Sequence, residues 1–221
     1  MKKPLIIFGL GDISKLAFHY FNIDSGYKVV GFTADSAYVS EPVFCGLPVV
    51  PFDMIASLYS PATHSLFVAL SYSKLNSVRK EKYFAGKALG YRLASYISTR
   101  ASVLNGGQIG ENCFILEDNT IQPFANIGNN VTLWSGNHIG HHATISDHCF
   151  ISSHVVISGG TVVREQCFLG VNCTLRDHIT VGERCVLGAG TLLLSDAAPD
   201  GVYLGQATER SRVPSNRLFK I

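Results

Sequence analysis

The sequence predicts a small α/β domain, a Rossmann-like half, followed by a parallel β-helix of the left-handed class that hexapeptide repeats build. Two observations predict this. From Val103 every sixth residue is aliphatic: Ile109, Ile115, Ile121, Ile127, Leu133, Ile139, Ile145, Ile151, Ile157, Val163, Leu169, Leu175, Val181, Leu187 and Leu193, sixteen positions without a break. The first ninety or so residues instead alternate short apolar runs with glycine-containing loops and amphipathic stretches. The expected division is 1–92 for the α/β domain, 93–195 for the β-helix and 196–221 for a C-terminal cap.

The repeat has its own physical logic. A hexad makes one short strand and one turn, and three hexads close a triangular coil. Stacked coils then pair their backbones at the ordinary strand spacing of roughly 4.8 Å. The aliphatic residue points into the prism, where ladders of β-branched residues and leucine fill the interior. The following residue is often small, as at Gly110, Gly128, Gly140, Ser146, Ser152, Ser158, Gly170, Gly182 and Gly188. Two residues before each aliphatic lies a second inward register, which holds Cys113, Cys149, Cys167, Cys173 and Cys185. Cysteine is among the most buried residue types, and these spacings fit no zinc motif, so the five read as core fillers.

In the first domain Leu5–Phe8 reads as a buried strand, Gly9–Ser14 as a glycine loop and Lys15–Phe21 as a helix. Lys28–Thr33 is a second strand ending at Ala34-Asp35. Leu66–Leu70 is a third, followed by Ser71-Tyr72-Ser73-Lys74 and a helix to about Gly90. Strand, glycine loop, helix, strand and acid make a Rossmann-like half. Ser14 stands where the dinucleotide fingerprint has its third glycine. The domain is also too short for a full dinucleotide and a substrate, which argues against a dehydrogenase.

Composition narrows the function classes. Hydrophobic residues make up 47% of 221 and charged residues 15%, so a sizeable core is available. A net charge of +2 gives no basis for a nucleic-acid or membrane-surface partner. The apolar run after Lys3 ends at Gly9, shorter than a secretory signal or a membrane span needs, so a cytoplasmic protein is expected.

Five of the eight histidines crowd into HIGHHATISDHCFISSH, from His138 to His154. His142, His148 and His154 are six apart and so fall on three different sides of the prism, where one chain cannot gather them around one metal. With His178 they read as outward-facing residues at solvent or a subunit interface. His141 is out of step with them, two residues after Ile139 and beside the turn at Gly140.

The segment Gly136-Asn137-His138-Ile139-Gly140-His141-His142, with its flanking repeats and preceding α/β domain, resembles the hexapeptide sugar acyltransferases of the sialic acid O-acetyltransferase-like group. That group includes N-acetyltransferases acting on nucleotide-linked 4-amino-4,6-dideoxy sugars, of the bacillosamine and perosamine type used in polysaccharide biosynthesis. The resemblance implies an acetyl-CoA-dependent N-acetyltransferase with no metal, assembled as a homotrimer. It implies His141 as general base, assisted by His142 where the group often has an acidic residue. A histidine titrating near neutrality suits that role. It implies an acceptor pocket of Trp134, Asn137 and His138. It places a nucleotide against Gly9, Leu10, Gly11, Asp12, Ser14, Asp35, Ser71 and Lys74, and acetyl-CoA along Gly159, Gly170, Val171, Gly188 and Ala189. Arg210 or Arg212 would reach the CoA phosphates. O-acetylation of a sugar hydroxyl on the same fold is the near alternative. A zinc hydratase resembling the γ-type carbonic anhydrases, with histidines shared between subunits, is a more distant one, and a non-catalytic nucleotide-sugar-binding solenoid is a third.

Overall fold

The computed structural model describes residues 2–217. It has the expected architecture, a Rossmann-like half followed by a left-handed parallel β-helix. Residues 218–221 of the expected cap lie outside the described residues.

The α/β domain is built from β1 (Lys3–Phe8), α1 (Asp12–Ile23), β2 (Tyr27–Ala34), β3 (Val43–Phe44), β4 (Leu47–Pro51), α2 (Ile55–Leu58), β5 (Ser65–Val68), α3 (Ser77–Ala88) and β6 (Arg92–Leu93). Its sheet runs β3-β4-β2-β1-β5-β6, parallel except for the β3–β4 hairpin. The central strands are buried on both sides, so β1 and β5 read as continuous apolar runs rather than alternating ones. Gly9 ends β1 at φ +124, and a Cβ there would come within 2.5 Å of the Ser14 Oγ and 2.7 Å of the Ala69 carbonyl. The tight turn from β1 into α1 therefore requires glycine.

The prism has three faces. One stacks the strands Tyr96–Ile97, Phe114–Ile115, Thr132–Leu133, Phe150–Ile151, Phe168–Leu169, Val186–Leu187 and Val202–Tyr203. A second runs from Ser102–Val103 through His138–Ile139 to Leu192–Leu193, and a third from Asn126–Ile127 through Thr144–Ile145 to Thr180–Val181. Partners along each face are eighteen apart, as at Thr132↔Phe150 and His138↔Val156. The repeat aliphatics from Ile115 to Leu193 are buried, and so are the five cysteines. Burial pushes the Cys113 thiol up to about 11, as expected of an inert core filler.

The turns explain the small residues. In each hexad the third residue after the aliphatic has positive φ: Asn112, Asp118, Phe124, Asn130, Gly136, His142, His148, His154, Gly160, Gln166, Asn172, His178, Arg184 and Gly190. Where the residue directly after the aliphatic is glycine, as at Gly128, Gly140 and Gly170, it lies flat against the next coil. A Cβ at Gly140 would come within 2.6 Å of the Gly159 nitrogen, and one at Gly170 within 2.7 Å of the Ala189 nitrogen.

The α/β domain docks on the first face and on the edge carrying His148. Tyr20, Phe21, Phe67, Tyr96 and Phe114 form one aromatic cluster across the junction. Arg79 of α3 is buried and donates to the carbonyls of Val68, Asn112 and Asn130. His148 departs from its expected outward place. It is 2% exposed beneath α3, packed by Tyr83 and Phe84, with its Nδ1 2.9 Å from the Asn130 amide nitrogen. Burial, with help from the Lys80 and Arg79 charges, lowers its pKa to about 4. At the far end Val202–Tyr203 pairs with Val186–Leu187 and covers the last coil, and the tail with Arg210 and Arg212 is exposed.

Candidate active site

The repeat leaves few positions free to carry chemistry. His141 occupies one of them, on the edge between the second and third faces, two residues after Ile139. Its side chain is exposed and lies across the next coil over Gly159, where a Cβ would come within 2.7 Å of Cε1 and 2.8 Å of Nε2. Its backbone nitrogen donates to Gln122 Oε1 at 2.9 Å. Its Nδ1 is 3.1 Å from His142 Nδ1, and the two rings meet edge-on at 5.3 Å. His142 packs against Phe124 of the preceding coil, with ring centroids 4.8 Å apart and the planes tilted by 34°. Nδ1 of His141 is thus engaged within the protein, and its other nitrogen is held above a glycine.

The expected acceptor residues do not gather around His141. Asn137 is 1% exposed, and its amide is used inside the prism: Nδ2 donates to the Trp134 carbonyl and Oδ1 accepts from Val155 N at 2.7 Å. Its place in the cysteine register, two before an aliphatic, is the sequence signal for that inward role. Trp134 is half-buried on the first face, 6.4 Å from Phe150 and against the core of the α/β domain. His138 is half-buried and points outward from the second face, between Thr120 and Val156.

The α/β domain has a cavity of about 400 Å³ at the carboxyl ends of β1 and β2, lined among others by Gly9, Leu10, Gly11, Asp35, Tyr38 and Lys82. This is where ligands bind in open α/β sheets. Lys82 of α3 was not anticipated. Its ammonium donates to Asp35 at 2.8 Å, and its side chain is 13% exposed. Burial alone would lower its pKa, but the hydrogen bonds and charges of Asp35 and Glu81 outweigh that and raise it. A helix lysine offers no local motif, and only the packing of α3 beside β2 brings it to Asp35. Other expected nucleotide residues lie elsewhere. Ser14 is fully buried and donates to the Ala69 carbonyl at 3.1 Å. Asp12 is exposed and pairs with Lys15 at 3.4 Å. Ser71 contacts Ser73 at 3.3 Å, and Lys74 is exposed at φ +48, both outside the cavity lining.

The expected acetyl-CoA residues split in two. Gly159 lies under His141. Gly170 and Gly188 stack at the margin of the first face, and Val171 and Ala189 are exposed on the edge carrying His154. Among the described residues no group of three or more His, Cys, Asp or Glu side chains is placed to hold a metal, and no helix is long and apolar enough to cross a membrane.

Residues 124–159 match the bacterial transferase hexapeptide family (six repeats). That stretch contains His141, His142 and Gly159. No curated protein sequence matches the chain. Among solved structures the chain is similar to a mutant of perosamine N-acetyltransferase from Caulobacter crescentus in complex with CoA and GDP-perosamine. The identity is 22%, over 91% of this chain and 93% of that one, with a TM-score of 0.81. It is also similar to the acetyltransferase domain of PglB from Neisseria gonorrhoeae in complex with acetyl coenzyme A, at 23% identity over 93% and 97% with a TM-score of 0.81. WeeI from Acinetobacter baumannii has 16% identity over 92% and 97% and a TM-score of 0.76. At these identities the likeness is one of fold, and it spans both domains.

The geometry adds a constraint that the fold alone does not. The α/β domain covers the first face and the His148 edge, through Arg79, Asn76, Lys80 and the aromatic cluster. His141 lies on the edge between the other two faces. The cavity at Gly9–Gly11 and the imidazole of His141 therefore belong to different sides of one chain.

Proposed function

We propose that the protein is an acetyl-CoA-dependent N-acetyltransferase acting on a nucleotide-linked amino sugar. The observation that carries this reading is His141: exposed on a prism edge, seated over Gly159, with Nδ1 engaged and Nε2 held over a gap in the next coil. The amine nitrogen of the acceptor attacks the thioester carbonyl, a C–N bond forms and the C–S bond breaks. His141 Nε2 takes the proton released by the amine, and CoA leaves as the thiolate, which is then protonated. The oxyanion that forms on the way needs hydrogen-bond donors pre-aimed at it.

The nucleotide of the acceptor goes to the cavity at Gly9, Leu10, Gly11 and Asp35, with Lys82 beside Asp35 as the cation. The backbone N–H groups that open α1 beside Gly11 suit a phosphate of that nucleotide. A dideoxy sugar acceptor and a GDP-type nucleotide are the first to try, since a structural neighbour binds GDP-perosamine and CoA. Because that cavity and His141 lie on different sides of one chain, a complete site takes the acceptor from one copy and the base from a neighbour. Acetyl-CoA then runs between Gly159 of one copy and Gly170, Val171, Gly188 and Ala189 of the next. A cytoplasmic homotrimer supplies three such sites.

The test is thiol release from acetyl-CoA with UDP-, dTDP- and GDP-linked 3- and 4-amino sugars, comparing the wild-type protein with His141→Asn. Turnover with one amino sugar that falls at least a hundredfold in the variant is the expected result. Release with hydroxyl but not amine acceptors would replace N- by O-acetylation, and full activity in His141→Asn would refute the base.

A further inference from the structure

The left-handed corner of each hexad is filled by glycine or by Asn, Asp, His, Gln or Arg at every described position of the repeat from Asn112 to Gly190 but one. The exception is Phe124, at φ +65. A bulky apolar side chain is poorly suited to that backbone region, and such residues persist where a site requires them. The Phe124 ring is 65% exposed, so burial in this chain does not account for it. Its aromatic partner is His142, at 4.8 Å and an interplanar angle of 34°. His142 in turn holds its Nδ1 3.1 Å from Nδ1 of His141.

Two nitrogens that close share one proton, and its location decides what His141 can do. If His142 donates, the neutral His141 carries its own proton on Nε2 and cannot accept another there. If His141 donates, Nε2 is a free acceptor over Gly159. We propose that His142 is the positioning residue of this site: its Nδ1 accepts the Nδ1–H of His141, and Phe124 holds the His142 ring for that purpose. This rests on the reading of His141 as base. The role falls to a neutral imidazole where the resembled group often has an acidic residue, so the His141 imidazolium gains no counter-charge from its orienting partner.

The surroundings leave this pair electrostatically simple. The preceding coil contributes Gln122, Pro123 and Phe124, none of them titratable. The following coil contributes Gly159 and Gly160, and the next Asp177 and His178, of which Asp177 is 3.9 Å from the Arg176 guanidinium and His178 lies against Gly160.

Long-range proton–nitrogen NMR of the imidazole rings reads the tautomers whether or not the protein turns over. The expected result is His141 as the Nδ1–H tautomer and His142 as the Nε2–H tautomer, with the preference of His141 lost in His142→Ala. Finding His141 as the Nε2–H tautomer in the wild-type protein would overturn the proposal and leave the base itself to the His141→Asn test. In kinetics, His142→Ala should lower kcat at least tenfold with little change in KM. His142→Asn keeps an acceptor oxygen and tolerates the left-handed corner, so it should recover most of that loss. His142→Glu should move the acid limb of the kcat/KM profile up by about one pH unit, because a carboxylate stabilises the imidazolium. Phe124→Asn relieves the backbone and should hold or raise Tm while lowering kcat severalfold. A Phe124→Asn or a His142→Ala protein that keeps full kcat would refute the arrangement.

Discussion

His148 makes the stability of the domain junction depend on pH in a way that can be worked from the structure. Its folded pKa of about 4 lies below the ordinary histidine value of 6.5, because burial beneath α3 disfavours the imidazolium and the Lys80 and Arg79 charges add to that. The unfolded chain therefore binds the extra proton first as pH falls. The contribution of neutral His148 is complete above pH ~6.5, declines between ~6.5 and ~4, and is flat below. A difference of about 2.5 pH units corresponds to at most about 3 kcal/mol, of which about 2 kcal/mol is lost by pH ~5. The perturbation is His148→Asn, which suits the left-handed corner at φ +63 and does not titrate. Asparagine is smaller and leaves a gap beside Tyr83 and Phe84, a cost that does not vary with pH. Urea unfolding at pH 8, 6.5 and 5 should show the wild-type protein losing about 2 kcal/mol more than the variant between the first and last. Carboxylates with lowered pKa, such as Asp24 and Glu117, titrate in both proteins and cancel in the difference. Parallel pH dependences in the two proteins would refute the assignment of a buried neutral His148.

Further expectations follow from other contacts. A methyl group at Gly159 would fall within 2.8 Å of the His141 ring and displace it, so Gly159→Ala should cost at least tenfold in kcat while Tm, measured by calorimetry, changes little because His141 is exposed. Arg79→Ala removes the donors that satisfy the Asn112 and Asn130 carbonyls and leaves a void between the domains, so urea unfolding should show a loss of about 3 kcal/mol or more. Thiol titration of the native protein should count one fast cysteine, Cys45, with the other five reacting only on unfolding, since Cys45 is exposed and Cys113, Cys149, Cys167, Cys173 and Cys185 are buried.

What could be read from the sequence was whatever the hexad fixes locally. The inward registers, the cysteine fillers and the stacking of residues eighteen apart depend only on position within the repeat, and they recur in the structure without a slip from Ile115 to Leu193. The same local rule places Asn137 inside, since it stands two residues before Ile139. The β3–β4 hairpin escaped notice because its two-residue turn is Cys45-Gly46, both at positive φ, and cysteine does not announce such a turn as asparagine or aspartate does. Helix α1 begins at Asp12, not near Lys15, with no side-chain cap to mark its start. The burial of His148 was not legible at all. Its register is that of His142, His154 and His178, and only the placement of α3, more than sixty residues earlier in the chain, separates it from them.

The repeat also explains why so little of this surface can become a catalytic site. Within a hexad, the aliphatic and the residue two before it fill the interior. The residue after the aliphatic is often a glycine pressed on the next coil, and the third residue after the aliphatic must accept a left-handed backbone. The outward strand residue and the second residue after the aliphatic are free for a large functional side chain in every coil, and the residue after the aliphatic takes one only where the chain has no glycine there, as at Gln122, Trp134, Arg164 and Arg176. Of the outward strand residues, one face in three is spent here, because the face bearing Phe114, Phe150 and Phe168 is covered by the α/β domain, Tyr72 included. At the second position the edge series between Glu117 and Ala189 holds a histidine once, at His141, and the residue directly above it in the next coil is a glycine. An edge position on this scaffold can serve a base when it is exposed, when the following coil leaves space for its ring, and when the neighbouring left-handed corner offers an orienting partner. His141, Gly159 and His142 satisfy these three requirements at one edge of the prism.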